Sequence, residues 1–149
     1  MIKRVGAFLM AWVLLAALAG CAAKPAASVG AVDIFNPWVR VADAGGNSAA
    51  YMVIKNGAEQ ADKLVKAEFS GAGVVEVMNT TLTGDVMAME TIASIDIPAN
   101  GEVELKPGGY HVMLMMLNQD LKEGETAAVA LTFESGSSVT VDMPIKSAP

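Results

Sequence analysis

This chain predicts an all-β fold, an antiparallel sandwich or barrel, on three observations. Beyond its N-terminal segment, short runs rich in valine, isoleucine and methionine recur at strand spacing. Clusters of turn residues separate them, and no stretch has the length and periodicity of an amphipathic helix. The final run, Val139-Thr140-Val141-Asp142-Met143-Pro144-Ile145, alternates apolar and polar residues as a half-buried strand does. Taken in order, strands are predicted over Val32–Arg40, Ala49–Lys55, Lys63–Phe69, Val74–Leu82, Val86–Ile97, Glu102–Leu105, Tyr110–Leu117, Ala127–Phe133 and Ser138–Ile145. The breaks fall at Ala44-Gly45-Gly46-Asn47, Pro98-Ala99-Asn100-Gly101, Pro107-Gly108-Gly109 and Glu134-Ser135-Gly136-Ser137. Asn56 is expected to open a turn, Arg40 to pair with a carboxylate, and Trp38 and Tyr51 to fill the sandwich core.

The N-terminus is set apart from this domain. Lys3 and Arg4 precede an apolar run from Val5 through Leu18, which ends in Leu18-Ala19-Gly20-Cys21. A charged start, an apolar middle and small closing residues mark a secretory signal, predicted over residues 1–20. Leu-Ala-Gly-Cys is similar to the lipobox of bacterial lipoproteins, which implies that Cys21 is acylated and anchors the mature protein to a membrane. The competing reading is an uncleaved transmembrane helix, since the uncharged stretch approaches the ~20 residues a span needs. It ranks lower, because the chain's one cysteine stands where a lipobox requires it. Residues 21–31 are then the anchor and a flexible tether, and 32–149 form one domain of ordinary size.

Loss of residues 1–20 removes two of the ten basic residues and none of the sixteen acidic ones. An acidic exported domain without basic clusters is a poor candidate for nucleic acid. With Cys21 acylated no thiol remains, which excludes disulfides, a Cys-x-x-Cys redox pair and thiolate metal sites. One histidine, no Gly-x-Ser-x-Gly elbow and no His-Glu-x-x-His leave the usual catalytic constellations without their residues, so no enzyme is expected.

What the chain does hold is thioether and a single imidazole. There are ten methionines, and the only histidine lies in Tyr110-His111-Val112-Met113-Leu114-Met115-Met116. Sulfur with imidazole is a soft ligand set of the kind that selects Cu(I). Side chains two apart on a strand share a face, so His111 and Met113 can serve one ion, and Met87 and Met89 project together. If Val86–Ile97 is one strand, Met89 also shares its face with Thr91 and Ala93. Methionine is equally a filler of irregular cores. Met52, Met116 and Met143 are assigned to packing on that ground, with Met87 and Met115 leaning the same way. Composition alone leaves His111 open between a structural side chain and a ligand.

The spacing of Met78, ten residues, Met89, twenty-one residues, His111, one residue, Met113 resembles a known signature, His-or-Met-x10-Met-x21-His-x-Met. The surrounding sequence is similar too, through Asn36-Pro37-Trp38-Val39-Arg40, Ala49-Ala50-Tyr51-Met52-Val53-Ile54-Lys55-Asn56, Ile97-Pro98-Ala99-Asn100-Gly101 and Leu105-Lys106-Pro107-Gly108-Gly109-Tyr110. On these residues the chain is identified as a member of the periplasmic copper chaperone family written PCu(A)C. The resemblance implies a cupredoxin-like fold that binds one Cu(I) through Met78, Met89, His111 and Met113. It also implies delivery to other exported proteins, either the copper subunit of cytochrome c oxidase or a thioredoxin-like assembly factor. The setting would be a membrane-anchored lipoprotein facing the periplasm or the cell exterior.

One position departs from the common pattern. Many relatives carry histidine where this chain has Met78, so the ligand set becomes three thioethers and one imidazole, which favours Cu(I) over Cu(II). Thioethers do not protonate, so affinity is expected to fall by one proton on acidification through His111. A steeper fall would point to carboxylates such as Asp85 or Glu90. His111 needs a partner for its second ring nitrogen, and the turn at Pro107-Gly108-Gly109 is expected to place it near a strand's beginning and close to solvent. Two other readings stand beside delivery: copper scavenging or tolerance, and a structural or adhesive lipoprotein that binds no metal.

Overall fold

The structure, a computed structural model, describes residues 23–148. The predicted signal and Cys21 lie outside the described residues. Eleven strands follow in chain order: β1 (Ala27–Val29), β2 (Val32–Arg40), β3 (Ser48–Asn56), β4 (Asp62–Glu68), β5 (Ala72–Thr83), β6 (Val86–Thr91), β7 (Ile95–Ile97), β8 (Gly101–Leu105), β9 (Tyr110–Leu117), β10 (Thr126–Phe133) and β11 (Ser138–Lys146). No helix occurs among the described residues.

Two predicted assignments change, while the limits of the other strands move by no more than two residues. The run Val86–Ile97 is not one strand, because the chain leaves β5 after Ile92, whose N–H donates to Val77 O, and joins β4 as β7 from Ile95. Nothing in Ile92-Ala93-Ser94 is a strong turn signal, so sequence alone does not mark the crossing. The far end of the predicted tether is also structured, since Ala27–Val29 pairs with Val32–Ile34 as β1.

The strands form one hydrogen-bonded path, β6-β5-β9-β3-β2-β11-β10-β4-β7, with β1 added to β2 and β8 to β3. Every pairing is antiparallel except β11 with β2, which is parallel over Ile145↔Val39 and Lys146↔Arg40. At that short junction the path passes from one layer to the other, giving the expected cupredoxin-like β-sandwich. The inner faces supply Ile34, Val39, Met52, Ile54, Val112 and Leu114 from one layer, and Leu64, Val129, Leu131, Phe133, Val141 and Met143 from the other. Each such side chain contributes about 1.5–3 kcal/mol by leaving water. Met52 and Met143 are core, as assigned.

A bulge in β2 decides which face its tryptophan takes. Register runs Phe35↔Val53 and then Trp38↔Tyr51, so Asn36 and Pro37 together oppose one residue of β3. Asn36 adopts φ 48°, a left-handed conformation that asparagine tolerates. The extra residue shifts the alternation by one, keeping Ile34 and Val39 inward while Trp38 turns outward. The expectation that Trp38 and Tyr51 fill the core is therefore corrected in part: Tyr51 is buried, as expected, and Trp38 is half-buried, but neither faces the inter-sheet core. They stack on each other on the outer face, ring centroids 4.6 Å apart.

Candidate metal centre

The register of three strands gathers the outer-face residues. Antiparallel partners project to the same side of a sheet, as do residues two apart. Met78 on β5 is the partner of His111 on β9, and Glu76 is the partner of Met113. On its other side β5 pairs with β6, placing Met78 opposite Thr91 and Thr80 opposite Met89. Met78, Met89, His111 and Met113 thus share one face of β6-β5-β9. The core takes the alternate residues, Val77, Val112 and Leu114.

The hairpin that returns Met89 toward Met78 closes through Gly84 and Asp85, between the paired Thr83 and Val86. Gly84 has φ 65°, open to glycine and costly for most side chains, and two-residue hairpin loops favour glycine there. A second turn sets the start of β9. Gly108 at φ 82° lets Gly109 N–H donate to the Lys106 carbonyl at 3.0 Å, and Lys106 N–H donates to Tyr110 O at 2.9 Å. His111 follows as the second residue of the strand, as the turn predicted.

It is not, however, close to solvent. His111 is 3 % exposed, because β9 runs in the sheet interior between β3 and β5 with Tyr51 on one side and Met78 on the other. The Tyr51 and His111 ring centroids lie 6.4 Å apart. Accessibility is supplied instead by Met89, 55 % exposed on the edge strand β6, while Met78 and Met113 are half-buried. The set runs from a buried nitrogen to an exposed sulfur.

The imidazole has its orienting partner. His111 Nδ1 lies 3.0 Å from Gly109 O, and a carbonyl can only accept, so Nδ1 carries the proton. In the neutral ring Nε2 is then left with its lone pair free, the arrangement a metal-binding imidazole uses. Beside it, burial pushes the Tyr51 phenol up, against a smaller opposite pull from the Arg40 guanidinium. Tyr51 therefore stays protonated and adds no charge. Arg40 makes no ion pair among the described residues, contrary to expectation.

Several other expectations need correction. Met87 is 63 % exposed on β6 and Met115 is half-buried on the outer face beside Val74, so neither is core. Met116 is 58 % exposed, since its φ of 52° at the end of β9 turns it to solvent and Leu117 takes the core. Glu90 is the partner of Asn79 and faces away from Met89, and Asp85 sits in the hairpin turn. Ala93 lies beyond the end of β6. The carboxylate on the site's face is Glu76, which accepts a hydrogen bond from Thr91 Oγ1 at 2.8 Å. Its signal was present in the sequence, two residues before Met78 on one strand. Asn56 does brace the turn after β3, bonding Gln60 O and Ala58 N–H.

Among the described residues no three His, Cys, Asp or Glu side chains gather as a metal site. The donors on this face are sulfur with one nitrogen, a set that suits Cu(I) and offers little to magnesium or calcium.

Residues 32–145 match a family described as "Putative lipoprotein LpqE-like". The chain is 32 % identical over 141 residues to "Putative lipoprotein Lxx21020" of Leifsonia xyli subsp. xyli, covering 89 % of this chain and 84 % of that one. Among solved structures it is similar to the copper-bound PCuAC domain from PmoF2, with TM-score 0.69 and 25 % identity over 82 % of this chain and 97 % of that one. The Cu(I) form of DR1885 from Deinococcus radiodurans gives TM-score 0.60 and 34 % identity, over 76 % and 78 %. By its matched sequence and its fold, the chain belongs to the LpqE-like, PCuAC-type family.

Proposed function

We propose that this protein is an exported copper chaperone that holds one Cu(I) through Met78, Met89, His111 and Met113 and passes it to other exported proteins. The observation that carries the reading is the shared face. Strand register brings three thioethers together with an imidazole whose Nε2 is left free by the Gly109 hydrogen bond. Similar domains are named as copper-bound and Cu(I)-bound, which supports copper as the cargo.

The ligand set also argues for carriage rather than electron transfer. A blue-copper centre needs a thiolate with two imidazoles, and this chain has one histidine and one cysteine, the latter assigned to the anchor. Neutral donors leave the Cu(I) complex with one positive charge, and an acceptor with thiolates draws the ion away. Met89, exposed at the sheet edge, is the ligand a recipient meets first. Residues 1–20 as signal and Cys21 as acylated anchor place the domain 32–149 at a membrane surface, facing the periplasm or the cell exterior. The relative named as a lipoprotein supports that setting. Assembly of the copper centre of cytochrome c oxidase is the proposed use, through its copper subunit or a thioredoxin-like factor.

The test is transfer. Full-length protein in detergent micelles, loaded with Cu(I) without oxygen, is mixed with a reduced dithiol acceptor protein and the two are separated. Copper is expected on the acceptor, and copper retained by the donor would contradict delivery. Loss of oxidase activity at low copper on deleting the gene would separate oxidase assembly from scavenging.

A further inference from the structure

Glu76 shares the outer face with the four proposed ligands. It is the β9 partner of Met113 and precedes Met78 by two residues on β5. Thr91, which donates to its carboxylate, is the β6 partner of Met78. This hydrogen bond is therefore diagonal in the ladder, and it draws the carboxylate along β5 from the row of Met113 into the row of Met78. Glu76 is half-buried, and no lysine or arginine forms an ion pair with it among the described residues. Among the residues of β5, β6 and β9 on this face Glu76 is the one carboxylate, beside donors that are all neutral, while the Arg40 guanidinium on β2 acts on the neighbouring Tyr51.

We infer that Glu76 is the counter-charge of the bound monovalent ion, and that Thr91 is the positioning residue that holds it there. The inference rests on the four-residue reading of the site. Same-face neighbours on a sheet stand roughly 5–7 Å apart. At that range a unit charge acts on a univalent complex strongly enough, even after discounting for partial exposure and salt, to change affinity by about tenfold. Glu76 needs no bond to the metal for this effect. A site of three thioethers and one imidazole would otherwise place a cation on a half-covered face with nothing to balance it.

The experiment is an anaerobic Cu(I) competition titration on the full chain in detergent micelles, at ~10 mM and ~1 M ionic strength. Native protein is compared with Glu76→Gln, Glu76→Ala and Thr91→Val. Glutamine keeps an oxygen to accept from Thr91, so Glu76→Gln is expected to unfold with the native midpoint. It is also expected to bind Cu(I) about tenfold more weakly at low salt, with most of the difference gone at high salt. Thr91→Val keeps the charge but releases it, and falls between the two. Equal affinities of native and Glu76→Gln protein at low salt would overturn the inference, as would a loss that ignores salt. Should native protein itself fail to hold Cu(I), the four-residue site fails, and the role of Glu76 with it. That outcome is distinct, because it shows in the native titration alone.

Discussion

Met78 and His111 are direct cross-strand partners on the outer face of β5 and β9, the closest relation in the candidate site. This register sets one sulfur opposite one nitrogen on two strands that are each paired on both sides. Met89 and Met113 approach from either side, one on the edge hairpin and one farther along β9.

The Gly109 hydrogen bond predicts the tautomer of His111 in the metal-free protein. The neutral ring is expected with its proton on Nδ1, read from the nitrogen shifts of a labelled sample by NMR. A ring protonated on Nε2 would mean that the donor nitrogen is blocked and the Gly109 carbonyl is not its partner.

Replacing Met78 by histidine adds a second nitrogen opposite the first. Met78→His is expected to raise Cu(II) affinity by about tenfold or more while Cu(I) affinity changes less, since imidazole suits Cu(II) and thioether does not. Titration followed by electron paramagnetic resonance checks this. Unchanged Cu(II) binding would show that position 78 does not reach the ion.

Burial divides the methionines into two classes with different costs. Met52→Ala is expected to destabilise the fold by about 2–5 kcal/mol, because Met52 is 2 % exposed within the core. Met87→Ala, at the exposed edge, is expected within about 0.5 kcal/mol of native. Denaturant unfolding measures both, and similar costs would contradict the assignment of faces.

Acid should weaken the turn between β10 and β11. Burial pushes the Asp62 carboxyl up, but hydrogen bonds from Ser135 Oγ and from the backbone N–H groups of Lys63 and Ser135 together hold it below the ordinary value. With the folded value depressed, the unfolded state binds more protons in that range. The stabilisation is present above about pH 4 and is lost as pH falls through the folded value. Asp62→Asn should therefore lower the urea midpoint at pH 7 and approach the native protein below about pH 4. A difference that does not change with pH would contradict the account.

Much of this was legible in the sequence. The predicted runs Val32–Arg40 and Tyr110–Leu117 have the same limits as the observed strands, the second starting directly after the turn at Pro107-Gly108-Gly109. Alternation on β9 correctly put His111 and Met113 on one side. What could not be read is register, which depends on long-range pairing. Met78 meets His111 only because β5 and β9 lie side by side, and no local pattern states that. The bulge at Asn36 and the left-handed Met116 reverse the faces that strict alternation assigns. Hydropathy does not separate Met52, buried, from Met87, exposed, because the same side chain serves both places. Met78 and Met89 stand out only through the resemblance to the family signature, since no local pattern on their own strands separates them from the other methionines.

The most direct test of the central claim is an anaerobic Cu(I) competition titration of the full chain in micelles against a chromophoric chelator, beside a Met89→Ala, His111→Ala double variant. The account predicts one tightly held copper in the native protein and its loss in the variant, with both folded by circular dichroism. Equally weak competition by the two would contradict it, and would leave the outer-face methionines as surface residues of a structural lipoprotein.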